Sequence, residues 1–144
     1  MKRMKQIQTE KINYFCKMVN MSPYNEITYA INGAAMEVHS KLGCGFQEVI
    51  YQRALSIELD WRGIKHNREQ ELPVWYKGID IGTRRVDFLI DVNLIVEIKA
   101  LSKLEDVHLA QTLNYLKIFN LDVALLINFG AVQLEYRRLI KPKS

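Results

Sequence analysis

Three charged residues interrupt two otherwise apolar runs of this 144-residue chain: Asp87 within Val86-Asp87-Phe88-Leu89-Ile90, and Glu97 and Lys99 within Leu94-Ile95-Val96-Glu97-Ile98-Lys99. Both runs are rich in β-branched residues, and the Asp91-Val92-Asn93 between them reads as a hairpin turn. Antiparallel pairing across that loop sets Ile90 opposite Leu94 and, by the same count, Asp87 opposite Glu97. Side chains two apart on a strand share a face, which puts Lys99 beside Glu97. One patch of sheet then holds two carboxylates and an ammonium group.

Burying an unpaired carboxylate is costly, and two side by side repel unless a proton or a cation lies between them. A divalent ion removes the penalty. Oxygen ligands with no nearby His or Cys select a hard ion, Mg²⁺ or Mn²⁺, whose shell is completed by waters and a substrate phosphate. Lys99 then orients or helps deprotonate the attacking water, or neutralises charge developing on the phosphate. The plain alternative is a surface salt bridge from Lys99 to Glu97 or Asp87, because E-x-K triplets on strands are common.

The surrounding sequence supplies elements able to hold such a patch. Ser22-Pro23 resembles an N-cap followed by proline in the first helical turn, and Ile27, Ile31, Ala34, Val38 and Leu42 recur at helical steps up to Gly43. After the Gly43-Cys44-Gly45 break, Glu48 to Arg62 forms a second helix with Val49, Leu55 and Leu59 in register. Strand-like segments follow from Ile64 to Lys99, turning at Lys77-Gly78 and at residues 91–93. Residues 104–119 return to helical period, with Leu104, Val107, Ala110 or Gln111, Asn114 and Phe119 in register. Val123 to Ile127 reads as a strand buried on both faces, and Val132, Leu134, Tyr136 and Arg138 as a final alternating one. Helix, helix, three strands, helix and two strands, without repeats, fit one α/β domain over residues 22–144 behind a basic extension at residues 1–21.

Composition agrees: 49% hydrophobic and 25% charged residues describe a globular chain with a core and exclude collagen, coiled coil and global disorder. No run approaches the roughly eighteen apolar residues of a membrane span, and Met1-Lys2-Arg3-Met4-Lys5 leads into polar residues, so no membrane association and a cytoplasmic location are expected. Cys16 and Cys44 lack metal-ligand spacing and read as two buried thiols. The net charge of +4 is concentrated at the ends: residues 1–20 hold five basic and one acidic residue, residues 134–144 four and one, and the body eleven and fourteen. A slightly acidic body suits carboxylates awaiting a cation, and basic ends suit phosphate contacts.

The string Asp87 to Lys99, D-x9-E-x-K, resembles the core motif of the PD-(D/E)XK nuclease superfamily. Gly45-Phe46-Gln47-Glu48-Val49-Ile50-Tyr51 reads G-x-x-E-x-x-Y and, with the preceding Glu37-Val38-His39, resembles the signature of the small GxxExxY proteins of that superfamily. Over about residues 24–140 the resemblance implies a restriction-endonuclease-like core, a central mixed β-sheet flanked by helices. It implies Asp87 and Glu97 as metal ligands, Lys99 as the catalytic lysine and Glu48 as the helical acidic residue, an auxiliary metal or water ligand. Val86 stands where the superfamily's name has proline, a replacement the superfamily tolerates.

Gln111 and Tyr115 resemble the Q-x-x-x-Y element of the helix after the lysine strand; at i and i+4 they share a face directed at Lys99 or a phosphate. Tyr51, one turn after Glu48, is expected either to fix that carboxylate or to be a core tyrosine. His39 matches the family string and otherwise reads as a satisfied helical histidine. The function implied is Mg²⁺-dependent phosphodiester hydrolysis of nucleic acid, DNA in the first instance, by a metal-activated water. The alternative is a non-catalytic module that binds nucleic acid or protein on a nuclease-like fold.

Overall fold

The computed structural model describes Arg3, Lys5, Gln6, Gln8 and residues 24–142; the expected N-terminal extension and the Ser22-Pro23 cap lie largely or wholly outside the described residues. Helix α1 spans Asn25–Leu42, α2 Glu48–Trp61 and α3 Asp106–Phe119; the strands are β1 (His66–Tyr76), β2 (Ile79–Ile90), β3 (Leu94–Lys99), β4 (Val123–Asn128) and β5 (Glu135–Ile140). The N-cap position of α1 is Tyr24, two residues later than the expected serine, and it makes no side-chain capping bond.

The strands form one mixed sheet in the order β1-β2-β3-β4-β5, antiparallel except for the parallel β3–β4 pair. A parallel pair needs a crossover, and α3 supplies it. Alternation along the central strands sorts their side chains to two faces. Leu94, Val96 and Ile98 of β3 and Val123, Leu125 and Ile127 of β4 pack with Ile31, Val38, Tyr51 and Leu55 of α1 and α2. Ile95 and Ala124 pack on the opposite side with Val86 and with Tyr115 and Leu116 of α3. The molecule is therefore an α/β core with the mixed sheet between helices.

The 91–93 turn pairs Ile90 with Leu94, and Asn93 takes the left-handed conformation (φ 62°) that closes it, its N–H donating to Ile90 O at 2.8 Å. Three expectations shift. The buried residues of α3 are Thr112, Tyr115 and Leu116, while Val107 and Asn114 face solvent. Thr112 is tolerated inside because its hydroxyl donates to His108 O at 3.0 Å, so a polar residue occupies the core stripe that periodicity would give to an apolar one. The last strand starts at Glu135 instead of Val132, which is 85% exposed. Cys44, expected inside, is an exposed free thiol in the glycine break.

A polar knot that no local pattern announces lies at the start of the last strand. Asn128, fully buried, donates from Nδ2 to Leu101 O (2.9 Å) and to Glu135 Oε1 (2.8 Å), and its Oδ1 accepts from Leu101 N (2.8 Å) and Gly130 N (3.1 Å). Glu135 Oε1 also accepts from Leu104 N at 3.0 Å. Gly130 lies so close to residues 100–101 that a β-carbon there would sit 2.4 Å from Ala100 C. The knot ties the segment leaving Lys99 to the ends of β4 and β5 and so sets where α3 begins. Asn128→Ala should destabilise the protein by about 3 kcal/mol, because it strands a backbone pair and a carboxylate; urea unfolding monitored by circular dichroism measures it.

Candidate active site

Beyond Phe88–Val96 no further residues of β2 and β3 pair, and the two acidic side chains fill the gap where the strands part. The Ile98 N–H donates to Asp87 Oδ2 at 2.8 Å, and the Asp87 N–H donates to Glu97 Oε1 at 3.1 Å. Each carboxylate thus accepts from a backbone donor on the opposite strand, which holds both groups in fixed orientations. This is the local reason that two carboxylates can stand in the middle of an apolar sheet.

Gln52 reaches Asp87 from α2, its Nε2 donating to Oδ1 at 3.0 Å. Gln52 is 6% exposed, and its Oε1 is buried without a hydrogen-bond partner among the described residues. Glu97 is 7% exposed. Burial first and the neighbouring Asp87 charge second push its carboxyl up to about 8 from an ordinary 4.5, against the opposing pull of the Asp87 N–H, Lys99 and Arg84. A proton held by a buried carboxylate pair marks a place where a cation would be at home.

Lys99 follows two residues after Glu97 on the last position of β3, half-buried. Its ammonium forms no ion pair within 4.0 Å among the described residues, so the expected salt-bridge alternative is not what holds it; its charge acts on Glu97 through space. Tyr115 arrives from α3. Burial raises its phenol pKa, Arg84 lowers it, and the charges of Glu97 and Asp87 raise it, so the phenol feels the field of both carboxylates. The Arg84 guanidinium stands over the Tyr115 ring, 5.2 Å from its centroid.

The other expected residues make no hydrogen bond to Asp87 or Glu97 among the described residues. Glu48 opens α2 and is exposed, one turn before Gln52 on the same side of the helix, with no hydrogen bond or ion pair among the described residues. Gln111 is exposed one turn before Tyr115. Tyr51 does not touch Glu48: its hydroxyl donates to Gly43 O (2.6 Å) and accepts from Phe46 N (3.2 Å), while its ring stacks on Phe129 at 4.8 Å. It is the core tyrosine of the two readings, and it pins the glycine break that aims α2. His39 Nε2 lies 3.0 Å from Ala131 O, a satisfied histidine in the same loop packing.

Gln52 and Arg84 are absent from the sequence-derived set. Gln52 was legible only as the residue four after Glu48, hidden beside the more conspicuous Tyr51. Arg84 belongs to Thr83-Arg84-Arg85, a basic pair upstream of Asp87 that invites no specific role by itself.

No group of three or more His, Cys, Asp or Glu able to hold an ion is present among the described residues. Two carboxylates with the orphaned Gln52 carbonyl nonetheless fit Mg²⁺, which is commonly held by one or two protein carboxylates, with water and phosphate completing its shell. Gln52→Leu keeps the volume and removes the donor to Asp87. It should weaken Mg²⁺ binding about 10- to 100-fold, measured by calorimetry, with little change in melting temperature because a stranded buried carbonyl leaves with the amide.

A search of curated proteins finds no match. Among solved structures, the one titled "Crystal structure of SSO0001" aligns with a TM-score of 0.52 at 19% identity, covering 66% of this chain and 50% of the other, so this chain spans half of that one and shares its fold. The family model of the PD-(D/E)XK nuclease superfamily matches residues 25–139, which include both strands of the site and all three helices, and the chain belongs to that superfamily.

Proposed function

We propose that the protein is a Mg²⁺- or Mn²⁺-dependent nuclease of the GxxExxY type, hydrolysing phosphodiesters of nucleic acid, DNA in the first instance, from a single domain that begins near residue 22. The observation that carries the reading is the Asp87–Glu97 pair between parted strands, Glu97 buried and Asp87 half-buried, with the Glu97 carboxyl held at about 8 and Lys99 on the same strand two residues on. Superfamily membership supports a nucleic-acid substrate. No helix among the described residues is long and apolar enough to cross a membrane, and the reading places the activity in the cytoplasm.

In this site Asp87 and Glu97 hold the ion, and Gln52 fixes the free edge of Asp87. When bound, the divalent ion lowers the pKa of a water nucleophile and offsets phosphate charge. Lys99 contributes a cation at the end of β3, able to orient the nucleophile or stabilise the charge growing on the phosphoryl oxygens. Tyr115 and Arg84 border the carboxylates from the α3 side, where Arg84 adds a second positive charge facing an incoming phosphate. Glu48 and Gln111, exposed one turn from Gln52 and Tyr115, would serve as an auxiliary metal or water ligand and as a supporting polar group.

Calorimetry with Mg²⁺ and Mn²⁺, combined with cleavage of plasmid and single-stranded substrates by the parent and Asp87→Ala, tests the proposal. The parent should bind an ion and cut, and Asp87→Ala should do neither. A parent protein that binds no ion and cuts nothing above the variant's background sinks the reading.

A further inference from the structure

A phenol with no acceptor lies in the field of the carboxylate pair. Tyr115 is 7% exposed, its ring packs with Val86, Ile95 and Leu116, and its hydroxyl is buried without a hydrogen-bond partner among the described residues. A dry hydroxyl costs free energy that a phenylalanine in the same place would not incur. A tyrosine here points to an acceptor that arrives from outside.

Arg84 is its neighbour. Leu72, the cross-strand partner of Arg84, and Val86, two residues on in β2, both pack on the α3 side, and the Arg84 guanidinium lies over the Tyr115 ring, 5.2 Å from the centroid. Arg84 is exposed and has no carboxylate within 4.0 Å among the described residues. A guanidinium only donates. Whatever Arg84 offers the phenolic oxygen, the proton of the hydroxyl still lacks an acceptor, so two donor groups stand together with none between them.

We propose that Arg84 and Tyr115 together form a subsite for a phosphate of the nucleic-acid chain next to the scissile one. The inference rests on the nuclease reading for its substrate class and deepens it. A planar guanidinium fork and a hydroxyl suit the non-bridging oxygens of one phosphate. Position selects which phosphate. Arg84 stands three residues before Asp87 on β2, about 10 Å of strand, whereas the scissile phosphate belongs to the ion on Asp87 and Glu97. A chain that continues past the ion toward α3 brings its next phosphate to Tyr115. The exposed guanidinium turns off the ring to pair with that phosphate, and the phenol finds its acceptor. A lone phosphodiester would leave both donors empty, so the subsite favours a polynucleotide.

Tyr115→Phe separates this role from a structural one, because the two give opposite signs. Loss of an unsatisfied buried hydroxyl should leave the melting temperature at or above the parent's, while binding of a short fluorescein-labelled DNA duplex, followed by anisotropy without divalent metal, should weaken about tenfold. Arg84→Ala should weaken it at least as much and lower the salt slope by about one. Competing the labelled duplex off with a thymidine dinucleotide and then a trinucleotide compares one phosphate with two. The longer competitor should gain about tenfold in the parent and far less in Arg84→Ala. Equal gains in both proteins, or a Tyr115→Phe protein that binds as the parent does, overturn the subsite and leave hydrolysis standing. A Tyr115→Phe protein that melts well below the parent gives the hydroxyl a structural role and also overturns the subsite. The expected binding losses without cleavage in any metal uphold the subsite and remove hydrolysis, and a parent that neither binds nor cleaves removes both.

Discussion

Lys99→Met should reduce the rate of nucleic-acid cleavage about 10²- to 10⁴-fold while the protein still folds and still binds Mg²⁺. Methionine keeps most of the stem that occupies the end of β3 and removes only the charge. Because the ammonium makes no ion pair within 4.0 Å among the described residues, its loss breaks no structural contact, and melting should move by no more than a degree or two. One side effect is diagnostic. Lys99 lowers the Glu97 pKa, so its removal shifts the pH dependence of metal binding to higher pH while leaving affinity near the parent's well above pH 8. Cleavage at pH 9, compared under metal saturation, separates a direct role from this indirect one: a rate restored to the parent's there would mean that the lysine merely tunes Glu97.

The second large effect concerns Glu97 and pH. In the metal-free protein its carboxyl holds a proton up to about 8, whereas in the unfolded chain it titrates near 4.5. Between these values the native state binds more protons than the unfolded state, so stability is full below about pH 4.5 and falls as pH rises toward 8. The slope reaches at most about 1.4 kcal/mol per pH unit. Added Mg²⁺ reverses this, because the ion takes the deprotonated pair; its apparent affinity should rise up to about tenfold per pH unit below 8 and level off above. Glu97→Gln keeps an acceptor for the Asp87 N–H but carries no charge. Without metal it should melt above the parent at pH 8.5, near it at pH 5, and lose Mg²⁺ affinity roughly 100-fold or more. Thermal melts at the two pH values, with and without Mg²⁺, measure all three. A parent whose metal-free melting is flat from pH 5 to 8.5 would show that Glu97 is already ionised and the pair otherwise balanced.

The two effects depend on features of unequal visibility. The approximate positions and order of the described helices and strands, and the β2–β3 register, were determined by the sequence alone. Short-range periodicity and a three-residue loop constrain them. The same count set Asp87 near Glu97 across the hairpin, and strand alternation set Lys99 two residues after Glu97.

Tertiary structure decided the rest. That β2 and β3 part at the acidic pair, each carboxylate bonding the other strand's backbone, depends on a hydrogen-bond exchange that residue types do not announce. Gln52 is the helical group in contact with Asp87, and Tyr51, held by Gly43 and Phe129, helps to fix how α2 is rotated. Arg84 and Tyr115 meet only because α3 packs on the Val86–Ile95 face with Thr112 inward, and Asn128 places the start of that helix from across the sheet. Contacts between residues close along a strand were readable from the sequence. Contacts made by the rotation of a helix against the sheet were not, because burying one or two polar groups with internal partners changes that rotation without disturbing the hydrophobic pattern.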